Sequence, residues 1–177
     1  MSELSALADD AWRITVIRDF ASSELFDRTF QEGMELVEET AAYLDGAGRH
    51  DSKRLPRKTA LAYASESMRL TTRLMQLASW LLVQRAVREG QMPASEACHE
   101  RYRVSEGAEK AEAAEAQEGG DLLPAGLLTL LDRAARLYER VLHLDRRMYT
   151  EPAPDAGSHP VLLQMDRLQA AFGAAEA

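Results

Sequence analysis

The stretch RLMQLASWLLVQRAVREGQM, residues 73–92, decides the fold. Between Arg73 and Arg85 lie eleven uncharged residues, and the apolar ones are distributed around a helix instead of along one side. A segment of this length covers only about half of a bilayer core, so it predicts a helix buried among protein neighbours and not a membrane span. Its two apolar faces require two neighbours, and another subunit is a candidate for one of them.

Three long helices are predicted around this stretch, and strand signals are nearly absent. Each predicted helix is preceded by a serine or a proline, residues that are common at helix N-termini. The first two helices are followed by glycines, which are common at helix C-termini. The apolar residues of the third helix recur at spacings of 4, 3, 4, 3 and 4, which is typical of a bundle. The starts are Ser22 or Ser23, Pro56 and Pro124, and the stops are Gly46 with Gly48, and Gly90. The sequence therefore predicts an all-α fold, an antiparallel three-helix bundle with an acidic flexible loop and a flexible C-terminal tail.

The predicted domain organisation has three parts: an N-terminal arm (1–21), the bundle (22–149, with the acidic loop at 105–121), and a Pro-rich linker followed by an amphipathic tail peptide (150–177). For WRITVIRD, residues 12–19, a disordered arm and a segment packed across the bundle both remain open. The second helix would be roughly 50 Å long against roughly 30 and 39 Å for the others. Residues 92–104 are therefore predicted to fold back as a short helix over the overhang.

Charge and cysteine content restrict the partners. The chain has 21 Lys and Arg against 29 Asp and Glu, a formal charge of -8, which disfavours binding to nucleic acid or to anionic membranes. The single cysteine, Cys98, favours a reducing compartment. Because the start MSELSALADDAW lacks the pattern of a signal peptide, we expect a cytoplasmic protein with protein partners.

No catalytic or metal-binding pattern is found. The four histidines are scattered without ligand spacing, and Glu139 with His143 would need further carboxylates to hold a metal. Cys98 beside His99 is either a reactive thiol or, as we favour, a small packed residue. The basic connector, residues 49–58, is interpreted as a solvated surface, with phosphates or an acidic protein as alternatives. The protein is predicted to have no enzymatic activity and no cofactor.

Three segments closely resemble the RcdA family of alphaproteobacteria, named for regulation of CtrA degradation: ALAYASESMRLTTRLMQLASWLL (60–82), the QRAVREGQM that follows it, and EGMELVEETAAYL (32–44). The likeness covers residues 20–92 well, extends more loosely through EACHERYRV (96–104) and the third helix, and fades in the acidic loop and tail. The resemblance implies a three-helix bundle that forms a homodimer and serves as an adaptor for the ClpXP protease in the bacterial cell cycle. It further implies binding to ClpXP through a response-regulator-like adaptor (CpdR), cargo such as CtrA, and docking of the cyclic-di-GMP-binding adaptor PopA.

Tethering of cargo to a protease needs separable surfaces. The second apolar face of the second helix is the candidate dimer or cargo surface, with Met75, Trp80, Leu82 and Val83. The tail is the candidate protease-side contact, through Val161, Leu162, Met165, Leu168 and Phe172, whose spacing matches a helix in a groove. The acidic loop is a third candidate. Two alternatives remain open: a tail that folds back on its own bundle, and a structural or scaffolding bundle that delivers nothing to a protease.

Overall fold

The computed structural model describes residues 2–104 and 122–149, with side chains from Asp10 onward. The predictions for the acidic loop (105–121) and for the linker and tail (150–177) lie outside these residues. The helices are α1 (Ser2–Ala21), α2 (Glu24–Asp45), α3 (Ala47–Ser52), α4 (Arg57–Arg88), α5 (Ala94–Ala97) and α6 (Ala125–Tyr149), with a 3₁₀ turn at Glu100–Tyr102. No strand occurs in the described ranges, and the prediction of an all-α fold is confirmed.

Local signals set the helix ends where the sequence predicts them. The Ser23 hydroxyl accepts a hydrogen bond from the Phe26 N–H at 3.2 Å and caps α2. Gly90 follows α4 with a φ of 71°, a left-handed conformation that glycine adopts without steric cost. The connector between α2 and α4 differs from its prediction, because residues 47–52 form the short helix α3.

Side-chain pairs define how the long helices run. Contacts between α4 and α6 join residues 65 positions apart, which requires the two helices to be parallel; the pairs are Arg73 with Tyr138, Trp80 with Asp145, and Gln84 with Tyr149. Helix α2 runs antiparallel to α6, as the ion pairs of Glu32 with Arg140 and of Glu39 with Arg133 show. The arrangement thus differs in one respect from the predicted antiparallel bundle. After α4 ends, the chain runs back to the end of the bundle where α4 begins, so α6 is parallel to α4.

Helix α1 adds a fourth long helix to the predicted three. It contacts α2, α4, α5 and α6. Ile17 and Ala21 are fully buried, and the Phe20 ring packs against Phe26 and Trp80 at centroid distances of 5.8 and 5.6 Å. The open question about residues 12–19 is therefore answered, since this segment is helical and packs across the bundle.

Residues 92–104 fold back over the C-terminal part of α4, as predicted. Ala94 and Ala97 of α5 and the following Val104 are buried. Helix α5 contacts α1 and α4, and the 3₁₀ turn contacts α4. Cys98 is partly buried, its thiol donates to the Ala94 carbonyl at 3.3 Å, and burial raises its pKa, all of which fits a packed residue.

Candidate interaction surface

The solvent-facing side of α4 carries a stripe of large apolar residues. Leu61, Met68, Met75 and Leu82 are spaced by seven residues and are 60%, 71%, 66% and 51% exposed. Seven residues are nearly two helical turns, so these side chains lie in one row. We call this row, from Leu61 to Leu82, the α4 stripe. It is about 32 Å long at 1.5 Å per residue.

The surface between the large side chains of the α4 stripe is small and uncharged. The neighbouring positions on this face are Ala64, Ser65, Thr71, Thr72, Ser79 and Ala86. Small residues between large ones allow another helix to approach closely, because the large side chains of the partner fit between them. A row of exposed large apolar side chains of this kind makes this face of α4 a candidate interaction surface. No helix among the described residues is long and apolar enough to cross a membrane.

The structure corrects one member of the predicted surface. Met75 and Leu82 are exposed and Val83 is partly buried, but Trp80 is only 2% exposed. Its indole packs against Phe20, and its Nε1 donates to Asp145 Oδ1 at 2.9 Å. The prediction that Trp80 lies on the exposed face is wrong, because α1 and α6 cover this side of α4.

Asp145 is a buried carboxylate that joins three segments. Besides the Trp80 indole, it accepts hydrogen bonds from Arg103 Nη2 at 3.2 Å and from the Val104 N–H at 3.4 Å. Burial raises the pKa of the Asp145 carboxyl above its usual range, while these three donors act in the opposite direction. These hydrogen bonds hold α4, α6 and residues 103–104 together. Since Asp145 is only 1% exposed, its carboxylate is not accessible to a substrate.

A second buried polar pair lies one helical turn further along α4 and α6. Gln84 Nε2 donates to Tyr149 Oη at 3.0 Å, and neither residue is more than 7% exposed. Burial raises the pKa of Tyr149 to about 12. The Gln84 Oε1 atom is buried and has no hydrogen-bond partner among the described residues. With Trp80 and Asp145, this pair fixes the parallel register of α4 and α6.

Two clefts flank Met75. One, of about 350 Å³, lies between α2 and α4 and is mostly apolar, with Val37, Leu44 and Leu74 among its lining residues. The other, of about 400 Å³, lies between α4 and the 3₁₀ turn; Trp80 and Val83 contribute to it, and Arg101 lies at its edge. An apolar side chain of a partner could enter either cleft while its backbone lies along the α4 stripe.

A third cleft, of about 740 Å³, lies between α2 and α6 and is lined largely by charged residues. Arg133, Arg136 and Arg140 line it together with Glu32 and His143. These arginines are engaged in ion pairs with Glu39, Asp132 and Glu32. Within the described part of the chain, no group of three His, Cys, Asp or Glu residues is placed to hold a metal ion.

The fold and this surface define an all-α helical protein with an exposed apolar helix face. Residues 17–172 match the family model described as "Protein of unknown function (DUF1465)", and the chain belongs to this family, which is the RcdA-type family. The chain is similar to RcdA from Caulobacter crescentus CB15, whose crystal structure superposes with a TM-score of 0.62. The two sequences are 68% identical over an alignment that covers 76% of this chain and 98% of the RcdA chain. No curated protein matches the sequence.

The buried polar residues Gln84 and Asp145 and the partly buried Arg103 were not predicted from the sequence. One signal was present: Trp80 with Gln84 and Asp145 with Tyr149 are pairs separated by four residues, each on the apolar side of its helix. Polar groups on an apolar face need hydrogen-bond partners when they are buried. Two such pairs with the same spacing therefore indicate that one helical turn of α4 faces one helical turn of α6.

Proposed function

We propose that this protein is a non-enzymatic protease adaptor that binds cargo and delivers it to ClpXP for regulated degradation during the bacterial cell cycle. The observation that carries the proposal is the α4 stripe, which leaves four large apolar side chains exposed on a chain that is 28% charged. The similarity to RcdA supports the same function. An adaptor acts by binding two proteins at once and so raising the effective concentration of one near the other.

The α4 stripe would bind a second copy of the chain or a cargo protein, with Met75, Leu82 and Val83 in contact. The four stripe residues are between 51% and 71% exposed, so covering each would contribute about 1–2 kcal/mol. In a homodimer the four stripe residues of both copies are covered, and their burial contributes on the order of 8–16 kcal/mol in total. Association costs about 4–15 kcal/mol. A homodimer of moderate affinity is therefore expected.

The proposed protease-side contact is the tail, with anchors at Val161, Leu162, Met165, Leu168 and Phe172. The three prolines between positions 150 and 160 favour an extended linker that keeps this peptide away from the bundle. The remaining partners follow the resemblance to RcdA: the response-regulator-like adaptor CpdR, cargo such as CtrA, and the cyclic-di-GMP-binding adaptor PopA. All of these interactions would take place in the cytoplasm.

A reconstituted degradation assay tests the proposal. Purified ClpXP, the response-regulator adaptor and candidate cargo are combined with this protein, either intact or truncated after Thr150. Acceleration of cargo degradation by the intact protein alone supports an adaptor whose tail makes the protease-side contact. Acceleration by both forms supports the adaptor and refutes the tail contact, whereas acceleration by neither refutes the proposed function.

A further inference from the structure

The connector end of the bundle carries a cluster of basic side chains. Arg49, Lys53, Arg54 and Arg57 are all exposed. Across the described residues, none of these four side chains makes an ion pair or a hydrogen bond. We call these four residues the basic patch. Asp51 is the one acidic residue in the segment from position 49 to 58.

Several exposed arginines elsewhere in the chain do have carboxylate partners. Arg28 pairs with Glu24 at 2.6 Å, and Arg140 pairs with Glu32 at 2.5 Å. Their carboxylate partners come from the same helix or from a neighbouring one, on a chain that has more acidic than basic residues. Among the described residues, the four cations of the basic patch have no such partner, so they are available for carboxylates from another molecule.

The backbone adds to the positive potential at this end. Because α4 and α6 are parallel, their first residues, Arg57 and Ala125, lie at the same end of the bundle. A helix N-terminus carries a partial positive charge of about half an elementary charge. Two long helices thus direct their positive ends toward the side of the molecule where the connector carries its cations.

The basic patch adjoins the α4 stripe. Leu61, the first residue of the stripe, follows Arg57 by one helical turn and is 60% exposed. A bound chain could therefore place carboxylates on the patch and continue with an apolar side chain over Leu61. With a net charge of -8, much of the remaining surface repels an acidic partner, so the patch would also fix the orientation of binding.

We propose that the basic patch binds an acidic segment of a partner protein, in which a run of carboxylates is followed by an apolar residue that packs on Leu61. This inference rests on the proposed function as a partner-binding adaptor and specifies the chemistry of one partner. Each partly exposed ion pair contributes a factor of about one and a half to five in affinity. Three pairs acting together therefore contribute a factor of about three to about a hundred in affinity.

The test is a direct binding measurement on the full chain. The probe is a fluorescein-labelled peptide with a run of glutamates followed by leucines, and fluorescence anisotropy gives its affinity at physiological ionic strength, where the screening length is about 8 Å. In the triple variant Lys53→Glu, Arg54→Glu, Arg57→Glu each attraction is replaced by a repulsion of similar size. This variant should therefore bind roughly tenfold or more weakly than the unmodified chain. Leu61→Ser should weaken binding without reducing its sensitivity to salt.

A matched control separates the patch from the overall charge of the protein. The variant Arg18→Glu, Arg28→Glu, Arg136→Glu has the same net charge as the patch variant but changes exposed positions elsewhere. It should keep the affinity of the unmodified chain within about twofold. Equal weakening by both variants overturns the proposal, because only the net charge would then matter.

A further variant tests an occupant from the same chain. Glu106, Glu109, Glu112, Glu115 and Glu118 are changed to Gln. If the unmodified chain does not bind the probe and this variant does, the patch is occupied intramolecularly and the proposal of a partner site is overturned. These assays measure peptide binding alone. If the peptide does not bind, the proposal that the protein delivers cargo to ClpXP still stands; if the degradation assay shows no delivery, the measured peptide affinity still stands.

Discussion

Replacing Trp80 by Phe tests the buried polar connection between α4 and α6. The change keeps an aromatic ring next to Phe20 but removes the indole N–H that donates to Asp145 at 2.9 Å. Asp145 then retains Arg103 and the Val104 N–H as donors. The carboxylate is 1% exposed, so water cannot readily replace the missing donor.

The expected loss of stability has two parts. A hydrogen bond to a charged acceptor contributes about 1.5–3 kcal/mol. The smaller ring also leaves a space in the core at a position that is 2% exposed, which adds a cost on the order of 1 kcal/mol. Trp80→Phe should therefore lower the free energy of unfolding by about 2–4 kcal/mol, a large share of the roughly 5–15 kcal/mol of a typical domain.

Urea denaturation followed by circular dichroism measures this loss, and Trp12→Phe is the matched control. Trp12 is partly buried, and among the described residues its indole makes no hydrogen bond. The control should cost less than about 1 kcal/mol. A double-mutant cycle with Asp145→Asn should give a coupling of about 1–2 kcal/mol between the two positions. Equal losses for Trp80→Phe and Trp12→Phe, or zero coupling, would refute the role assigned to the buried hydrogen bond.

Three other variants test the α4 stripe, the buried phenol and the connector. Changing Met75 and Leu82 together to Glu should shift the melting temperature by only a few degrees, because both are exposed, while sedimentation velocity should show weaker self-association; an unfolded variant would mean that this face is internal. Burial raises the pKa of Tyr149 to about 12 from 10.0, so the stability contributed by its neutral form is complete below pH 10 and is lost as the pH rises through about 12. In alkaline denaturation this loss, on the order of 3 kcal/mol at most, should be absent in Tyr149→Phe, and an equal loss in both proteins would contradict the assignment. Gly48→Ala would place a carbon 2.5 Å from Tyr63 Oη and 2.9 Å from the Tyr43 carbonyl oxygen, so it should cost about 1–3 kcal/mol in urea denaturation; an unchanged free energy would show that the connector adjusts.

Local signals made the helix boundaries predictable. The capping hydroxyl of Ser23 and the left-handed Gly90 act on their own backbone neighbourhood, so they operate whatever the rest of the chain does. The second apolar face of α4 was also readable, because Met75 and Leu82 are seven residues apart on a helix whose opposite side is apolar as well.

Long-range contacts could not be read in the same way. Apolar residues surround α4 between positions 74 and 83, so the sequence gives no reason to bury Trp80 and expose Leu82. That choice depends on Asp145, 65 residues away. The direction of α6 was equally undetermined, because the chain between Gly90 and Pro124 is long enough to begin the next helix at either end of the bundle. Helix α1 lacks a clear apolar stripe, and its packing depends on the side that α4 and α6 leave open.

The parallel register of α4 and α6 has a consequence for the order of folding. Helices α2 and α4 can associate stepwise from their connector, where Tyr43 and Tyr63 lie on either side of Gly48, only 20 positions apart in the chain. The three side-chain contacts between α4 and α6, in contrast, each close a loop of 65 residues. Closing a longer loop costs more chain entropy before any contact compensates for it. We therefore expect the α2–α4 hairpin to form first and α6 to dock onto it in a later step, in which case core substitutions in α6 should mainly change the unfolding rate.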